Sequence, residues 1–334
     1  MDDKQNSISR RQIVGGAAVG IAAAAALPAA AQSGSPAAAG GVALQDPTTK
    51  YPRPPFQAQS QPWPGLAGRM NPRPDHGETS YKGSGRLAGR KALVTGGDSG
   101  MGRAAAIAFA REGADVAINY LPAEEPDARE VIDLIKREGR NGVALPGDIR
   151  QEGFCERLVA DAVKRLGGLD ILVNNAGRQQ SHASLLDISS EQFDWTIKTN
   201  IYAMFWITKA ALPHLGPGSA IIQTTSEQAY DPSKDLVDYA MTKAAMMNFT
   251  KSMAKQLGPK GIRVNGVAPG PVWTPLQVSG GATQEKLQQF GHDTALGRPG
   301  QPAELGSIYV QLAAADASFA TGQVYGSSGG GGQP

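Results

Sequence analysis

The chain is poor in the side chains that bind metal ions or form disulfides. Its 334 residues include one cysteine, Cys155, which excludes an intrachain disulfide and a cysteine-based zinc site. The four histidines, His76, His182, His214 and His292, lie far apart in sequence and show no spacing typical of metal ligands. No metal site is therefore predicted.

The sequence also lacks a strong net charge and a membrane-spanning run. The formal net charge is +2, so no basic or acidic field favours binding to nucleic acid or to an anionic membrane. The apolar run from Ile13 to Leu27 has 15 residues, whereas a spanning helix needs about 20. Aromatic residues make up only 6% of the chain, beside 41% hydrophobic residues, which suits a core of Val, Ile, Leu and Ala in a sheet buried on both faces.

The first 31 residues show the order of features found in an export signal. Arg10 and Arg11 follow Ser9, the apolar run comes next, and alanines at positions 29–31 precede Gln32 as a cleavage point. The stretch Ser-Arg-Arg-Gln-Ile resembles a twin-arginine signal. We predict a leader over residues 1–31 and a periplasmic protein. The alternative is a disordered Ala-rich segment on a cytoplasmic protein.

Residues 32–88 begin as a Gly/Ala/Ser linker and become rich in proline. Eight prolines fall between positions 46 and 75. Proline has no amide hydrogen for ladders or helices, so an extended arm is predicted. Because Tyr51, Phe56 and Trp63 lie within it, we expect the arm to pack on a protein surface, namely a neighbouring subunit of a homo-oligomer. A disordered tether is the alternative.

Residues 89–330 alternate apolar strands with amphipathic helices. This alternation predicts a single α/β domain with a Rossmann-type, doubly wound parallel sheet of about seven strands and helices on both faces. The predicted strands cover residues 91–95, 115–120, 142–145, 170–174, 219–224, 263–268 and 323–325.

A glycine-rich turn follows the first predicted strand. Gly96 permits the tight turn, Gly100 leaves room for a pyrophosphate, and Gly102 allows close packing of the helix predicted over 103–111. The amides at the start of that helix would face the phosphates. A glycine trio alone is weak evidence, but its place after the first strand of a βαβ unit predicts a dinucleotide site.

Four motifs in order resemble those of the short-chain dehydrogenase/reductases. They are Thr95-Gly-x-x-x-Gly-x-Gly102, Asn174-Asn-Ala-Gly177, Tyr239-x-x-x-Lys243 and Pro269-Gly270. Residues 70–77 of the proline-rich arm also resemble the extension of a bacterial subgroup of aldehyde/ketone reductases. The resemblance implies hydride transfer between a nicotinamide cofactor and a small aldehyde, ketone or secondary alcohol, in a chain that assembles as a tetramer.

A tyrosine and a lysine are the predicted centre of the chemistry. Tyr239 and Lys243 are four residues apart on a helix predicted over 238–257, so their side chains share one face. A neighbouring cation favours the phenolate and lowers its pKa, which suits a general acid. The resemblance adds Ser226, which binds the substrate oxygen, and Asn200, which holds a water in a proton relay through the lysine. An ordinary surface pair is the alternative for the Tyr–Lys spacing alone.

The resemblance also implies a set of cofactor contacts. Among them, Asp148 resembles the residue that contacts the adenine; the alternative is that it caps a helix beginning near Gln151. A substrate lid is predicted over 273–298, with Gly280 and Gly281 as a hinge, although a passive loop fits equally. The implied contacts are Gly96, Asp98, Ser99, Gly100, Met101, Gly102, Asn119, Tyr120, Asp148, Ile149, Asn175, Ala176, Gly177, Tyr239, Lys243, Pro269, Gly270, Val272 and Thr274.

The end of the second strand bears on the choice of cofactor. NAD enzymes usually place an acidic residue there, and this chain has Asn119 and Tyr120 instead. Both could bind a 2′-phosphate, with Arg103 as counter-charge, so NADP is favoured over NAD. The alternative function is a nucleotide-sensing Rossmann protein without catalytic activity. Such proteins usually lose the tyrosine or the lysine, and this chain keeps both.

Overall fold

The computed structural model describes residues 44–331, so the predicted leader lies outside the described residues. From Gln45 onward they belong to one compact unit. A parallel sheet forms its centre, with the strand order β3-β2-β1-β4-β5-β6-β7. The strands are β1 (Lys91–Thr95), β2 (Asp115–Tyr120), β3 (Gly142–Pro146), β4 (Ile171–Asn174), β5 (Ala220–Thr224), β6 (Arg263–Pro269) and β7 (Val324–Ser327).

Helices cover both faces of this sheet. They are α1 (Gly100–Arg111), α2 (Glu125–Arg137), α3 (Glu152–Leu166), α4 (Ser190–Ile197), α5 (Ala203–Ala211), α6 (Val237–Leu257), α7 (Gln284–Gln288) and α8 (Ala303–Ala313). Within the described residues, no helix has both the length and the apolar character needed to cross a membrane.

Two apolar layers hold the helices on the sheet. Side chains alternate between the faces of a strand, so Val94 and Ile118 belong to the layer under α1, α2 and α8. Their neighbours Leu93 and Ala117 belong to the layer under α3 and α5. Both layers are fully buried, as expected for strands that are apolar on both sides.

The predicted fold class is confirmed. Each of the seven predicted strands is present, with ends displaced by two residues at most. Helix α1 begins at Gly100, three residues before the predicted start, because Gly100 and Gly102 belong to its first turn. The sheet order reverses between β1 and β4, and the carboxyl ends of these strands form the crevice where such folds bind ligands.

The three aromatic rings of the arm have partners within their own chain, and a contact with a neighbouring subunit stays a prediction. Phe56 stacks on Trp273 with ring centroids 4.3 Å apart. The Tyr51 hydroxyl donates a hydrogen bond to Asp75, and the ring of Trp63 lies 5.0 Å from the Arg178 guanidinium. The physical reason is that this chain's own lid and crevice wall offer matching aromatic and cationic partners.

Candidate active site

One cleft at the carboxyl edge of the sheet brings the predicted residues together. All of them line it except Gly102 and Asn200. Gly102 lies in the first turn of α1, and Asn200 lies next to the backbone of Gly177. Residues that lie up to about 180 positions apart in sequence therefore line the same cleft.

The glycine loop is a cradle with no room for side chains. Gly96 and Gly100 have φ angles of +60° and +53°, which favour glycine. A Cβ atom at Gly102 would lie 2.0 Å from the carbonyl oxygen of Gly96. The open backbone and the N-terminus of α1 therefore fit the pyrophosphate of a dinucleotide.

Hydrogen bonds fix the ends of β1 and β4 to each other beside this cradle. The hydroxyl of Thr95 accepts bonds from the amides of Asn175 and Ala176 at 3.0 and 3.1 Å. In return, Asn175 Nδ2 donates to the carbonyls of Thr95 and Gly96 at 3.2 and 3.0 Å. The side chain of Asn175 thus stabilises the loop rather than projecting freely into the cleft.

Tyr239 and Lys243 are both buried on one face of α6. Lys243 Nζ lies 5.3 Å from the centre of the Tyr239 ring and donates a hydrogen bond of 2.7 Å to the carbonyl of Thr224. Ser226 follows the end of β5, where its hydroxyl accepts a bond from the amide of Gln228. Strand β5 and helix α6 thus bring the three side chains together.

Burial controls the titration of this pair. It raises the pKa of Tyr239 to about 12, with a smaller increase from Glu227, while the Ser226 hydroxyl acts in the opposite direction. Burial also lowers the pKa of Lys243 to about 7. The expected lowering of the tyrosine pKa by the lysine is therefore outweighed here, because the low-dielectric surroundings oppose charge on both groups.

Asn200 lies in a π-helical turn, Lys198–Tyr202, between α4 and α5. Its Oδ1 accepts a hydrogen bond of 2.7 Å from the amide of Arg178, and its Nδ2 donates to the Arg178 carbonyl and to Thr242 Oγ1. A Cβ atom at Gly177 would lie 3.6 Å from Asn200 Oδ1 and 3.7 Å from Lys243 Nζ. The side chain therefore positions residues 177–178 beside the lysine, and its role in a water relay stays a prediction.

At the far end of the cleft, the predicted adenosine contacts have protein partners. Asp148 pairs with Arg150 at 2.6 Å, and the N-cap of α3 is Gln151, so Asp148 is not the cap. Asn119 Nδ2 donates to the carbonyls of Leu145 and Gly147, and the Tyr120 hydroxyl donates to Glu125. These bonds leave little of Asn119 and Tyr120 for a 2′-phosphate.

Arg103 is not available as a counter-charge for a 2′-phosphate, which corrects that expectation. Its side chain is 1% exposed and pairs with Glu78 at 3.0 Å and Glu130 at 2.9 Å. The reason is its position in the first turn of α1, which faces the arm and α2 rather than the cleft.

Two carboxyl groups line the same end of the cleft. Asp98 is 1% exposed, and its Oδ2 has no hydrogen-bond partner among residues 44–331. Burial raises the pKa of Asp98 to about 7 and that of Glu124 to about 9. Repulsion from neighbouring carboxylates, including Asp127, adds to both increases. Both carboxyls therefore stay protonated to a higher pH than a solvent-exposed carboxyl does.

The predicted lid contains a second π-helical turn, Gln277–Gly281, followed by α7. Gly280 has a φ of +115°, and the carbonyl of Gly281 accepts a bond of 2.8 Å from Gln179 Nε2. The lid is thus bonded to the segment after β4 that carries Gln179, and the hinge at Gly280 and Gly281 stays a prediction.

Comparison with known proteins agrees with this geometry. A family model described as enoyl-(acyl carrier protein) reductase matches residues 96–331. An uncharacterised oxidoreductase of Escherichia coli, YghA, is 55% identical over 287 residues, covering 86% of this chain and 98% of the relative. The chloroplastic NADPH-dependent aldehyde reductase 1 of Arabidopsis thaliana is 41% identical over 273 residues, covering 80% and 94%. A short-chain dehydrogenase from Burkholderia cenocepacia, solved in complex with NADP, has a TM-score of 0.69 at 34% identity and covers 73% and 98%.

The chain belongs to the short-chain dehydrogenase/reductase family. It is accordingly an NAD(P)-dependent oxidoreductase rather than a silent nucleotide-sensing protein, and it retains the tyrosine and the lysine at the base of the cleft.

Sequence reasoning missed several residues that line the cleft of this short-chain dehydrogenase/reductase. Trp63 comes from the arm, Glu124 from the turn after β2, and Glu227 from the turn after β5. No family motif contains them. The signals available were the aromatic residue in a proline-rich segment and acidic residues directly after strand ends.

Proposed function

We propose that the protein catalyses reversible hydride transfer between NAD(P) and a small aldehyde, ketone or secondary alcohol. The observation that supports it best is the convergence of Ser226, Tyr239 and Lys243 on the cleft that also contains the glycine cradle. When bound, the nicotinamide ring donates or accepts the hydride.

In this proposal each side chain has one task. The Ser226 hydroxyl donates a hydrogen bond to the substrate oxygen and so orients the reacting carbon. Tyr239 Oη gives a proton to that oxygen during reduction and takes it back during oxidation. Lys243 Nζ, 5.3 Å from the ring, stabilises the phenolate whenever the amine is protonated. Asn200 holds the backbone at residues 177–178 beside the lysine.

We propose that the protein prefers NADP(H) to NAD(H) as its cofactor. Two similar proteins support it, namely the NADPH-dependent aldehyde reductase 1 of Arabidopsis thaliana and the Burkholderia cenocepacia dehydrogenase solved in complex with NADP. Asp98 and Glu124 act against a 2′-phosphate when they are ionised. Titration of both reduced cofactors, followed by their fluorescence, measures the preference.

We also propose a homotetramer exported to the periplasm. Large apolar side chains exposed on neighbouring helical segments support an interface, namely Phe193, Tyr202, Phe205 and Met241. Light scattering measures the assembly. The export proposal depends on Arg10 and Arg11, so replacing both with lysine should keep the chain in the cytoplasmic fraction with its leader uncleaved. Equal distribution of variant and wild type would contradict it.

The test of the reaction is a panel of carbonyls and alcohols with both cofactors in both redox states. On any accepted substrate, Tyr239→Phe should lower kcat by about 10³-fold or more, because only the proton donor is lost. Cofactor affinity should stay within about twofold, since the phenyl ring fills the same space. Near-normal turnover by this variant would contradict the assigned role.

A further inference from the structure

The proline-rich arm lies along the lid of the same chain and is hydrogen-bonded to it. The amide of Phe56 donates to the carbonyl of Gln288 at 2.8 Å, and that of Gln61 donates to Val278 at 2.9 Å. The indole nitrogen of Trp273, at the start of the lid, donates to Pro72 at 2.8 Å. Bonds at residues 273, 278 and 288 of the lid therefore hold it to the arm.

An apolar cluster reinforces this contact. Phe56 stacks on Trp273, and Trp273 is completely buried. The cluster also includes Met70, Val278 and Leu287 and is separate from the two layers on the sheet. The arm and the lid therefore share a small hydrophobic core of their own, which neither segment could form alone.

Beyond this cluster, the arm enters the wall of the cleft. Trp63, Pro64 and Gly65 are lining residues. A Cβ atom at Gly65 would lie 3.0 Å from the carbonyl oxygen of Pro275 and 3.2 Å from Ser279 Cβ, so the arm fits tightly against the lid here. The chain at Trp63 is thus placed between the lid on one side and the cleft on the other.

Trp63 is connected to the catalytic end through Arg178. The Arg178 guanidinium lies 5.0 Å from the centre of the Trp63 ring and 3.8 Å from that of Trp195, so the cation contacts both indoles. The backbone of Arg178 is in turn bonded to Asn200. Trp63 and Trp195 both line the cleft, so the two rings form part of its wall.

We propose that Trp63 is a specificity-determining residue that limits the size of the carbonyl or alcohol substrate admitted beside Tyr239. This inference rests on the proposed function. Trp63 lies in the arm, before residues 96–331 that the family model matches. A rigid indole fixed by the lid and by a cation accommodates a short aliphatic group and collides with a branched or aryl group.

The role of Trp63 is tested by comparing Trp63→Ala with wild type on a series of aldehydes from propanal to decanal and on benzaldehyde. The variant should raise kcat/KM for the bulky members relative to propanal by about tenfold or more. Trp63→Phe should give an intermediate profile and guards against misfolding of the alanine variant. Cofactor affinity should be unchanged within about twofold in both variants.

Two further variants separate a specificity role from a purely structural one. Phe56→Ala, which removes the stack on Trp273, should raise KM for all substrates and speed amide hydrogen exchange in residues 277–290. Tyr51→Phe alters the arm outside the cleft and should leave the size profile unchanged. Thermal unfolding of each variant reports on the fold.

An unchanged size profile in an active, folded Trp63→Ala protein overturns this inference and leaves the proposed function intact. Absence of turnover by wild type across the whole panel overturns the proposed function, and this inference with it.

Discussion

The two ends of the cleft are formed by different parts of the residues that line it. The cofactor end consists mainly of backbone: the glycine loop, the tips of β1 and β4, and hydrogen bonds between residues 95–96 and 175–176. The substrate end consists of side chains from three segments distant in sequence, namely the arm, the turn after β4 and the lid. Both ends lie in one cleft.

Because of this difference, the two ends should tolerate amino-acid substitutions to different degrees. A backbone cradle has no spare volume, so a single added methyl group distorts it. A wall of packed side chains can lose one member and leave a larger space. We therefore expect small substitutions at the cofactor end to abolish binding, and large ones at the substrate end to alter selectivity.

The largest effect should come from Gly102→Ala. The new methyl group would lie 2.0 Å from the Gly96 carbonyl oxygen, so the loop and helix α1 must separate. We expect loss of measurable cofactor binding and destabilisation of about 2 kcal/mol or more. Calorimetric titration and thermal unfolding measure both. Gly216→Ala is the matched control, because a methyl group there meets nothing within 4 Å. Normal cofactor affinity in Gly102→Ala would contradict the expectation that the cofactor end tolerates substitution less well than the substrate end.

A smaller effect should come from Asp98→Asn at the adenosine end. With a pKa of about 7, Asp98 is ionised at pH 8.5, where it repels the 2′-phosphate, and is mostly protonated at pH 6. The substitution should therefore improve NADPH affinity relative to NADH by about tenfold at pH 8.5 and much less at pH 6. Fluorescence titration of both cofactors measures the ratio.

Glu156→Gln makes the same change of charge on the exposed side of α3 and is the control for that experiment. If it alters the ratio as much as Asp98→Asn does, the effect belongs to the overall charge of the protein and not to the cleft.

The smallest effect should be a displaced pH profile in Glu227→Gln. Ionised Glu227 raises the pKa of Tyr239, so removing this charge lowers the tyrosine pKa. Alcohol oxidation needs the phenolate, and its rate should therefore reach its maximum at a lower pH, by less than about one unit. Initial rates of oxidation between pH 6 and 11 measure the profile. A displacement toward higher pH would contradict the assigned electrostatics.

The cofactor end could be predicted because its signals are local in sequence. The strand, the glycine spacing and the start of α1 lie within residues 91–111, and the periodicity of apolar residues defined all seven strands. Gly96, Gly100 and Tyr239 followed from the spacing and order of the motifs along the chain, together with the predicted strands and helices around them. Lys243 lies in the cleft as predicted. Its lowered pKa results from burial, which the spacing of residues in the sequence does not reveal.

The substrate end could not be predicted because it depends on packing between remote segments. Nothing near Phe56 indicates that its partner is Trp273, more than 200 residues away. Arg103 looked like an available cation, and only the folded chain shows that Glu78 of the arm region neutralises it. Aromatic residues in an extended segment predicted a contact surface, but not that the lid of the same chain forms part of it.

The paired indoles beside Arg178 give the protein an optical reporter. Two of its four tryptophans, Trp63 and Trp195, line the cleft. Tryptophan emission overlaps the absorption band of a reduced nicotinamide ring, and energy transfer between them is efficient at such short range. Occupancy of the cleft can therefore be followed by quenching of intrinsic fluorescence, without an added dye, in the same cuvette as the kinetics.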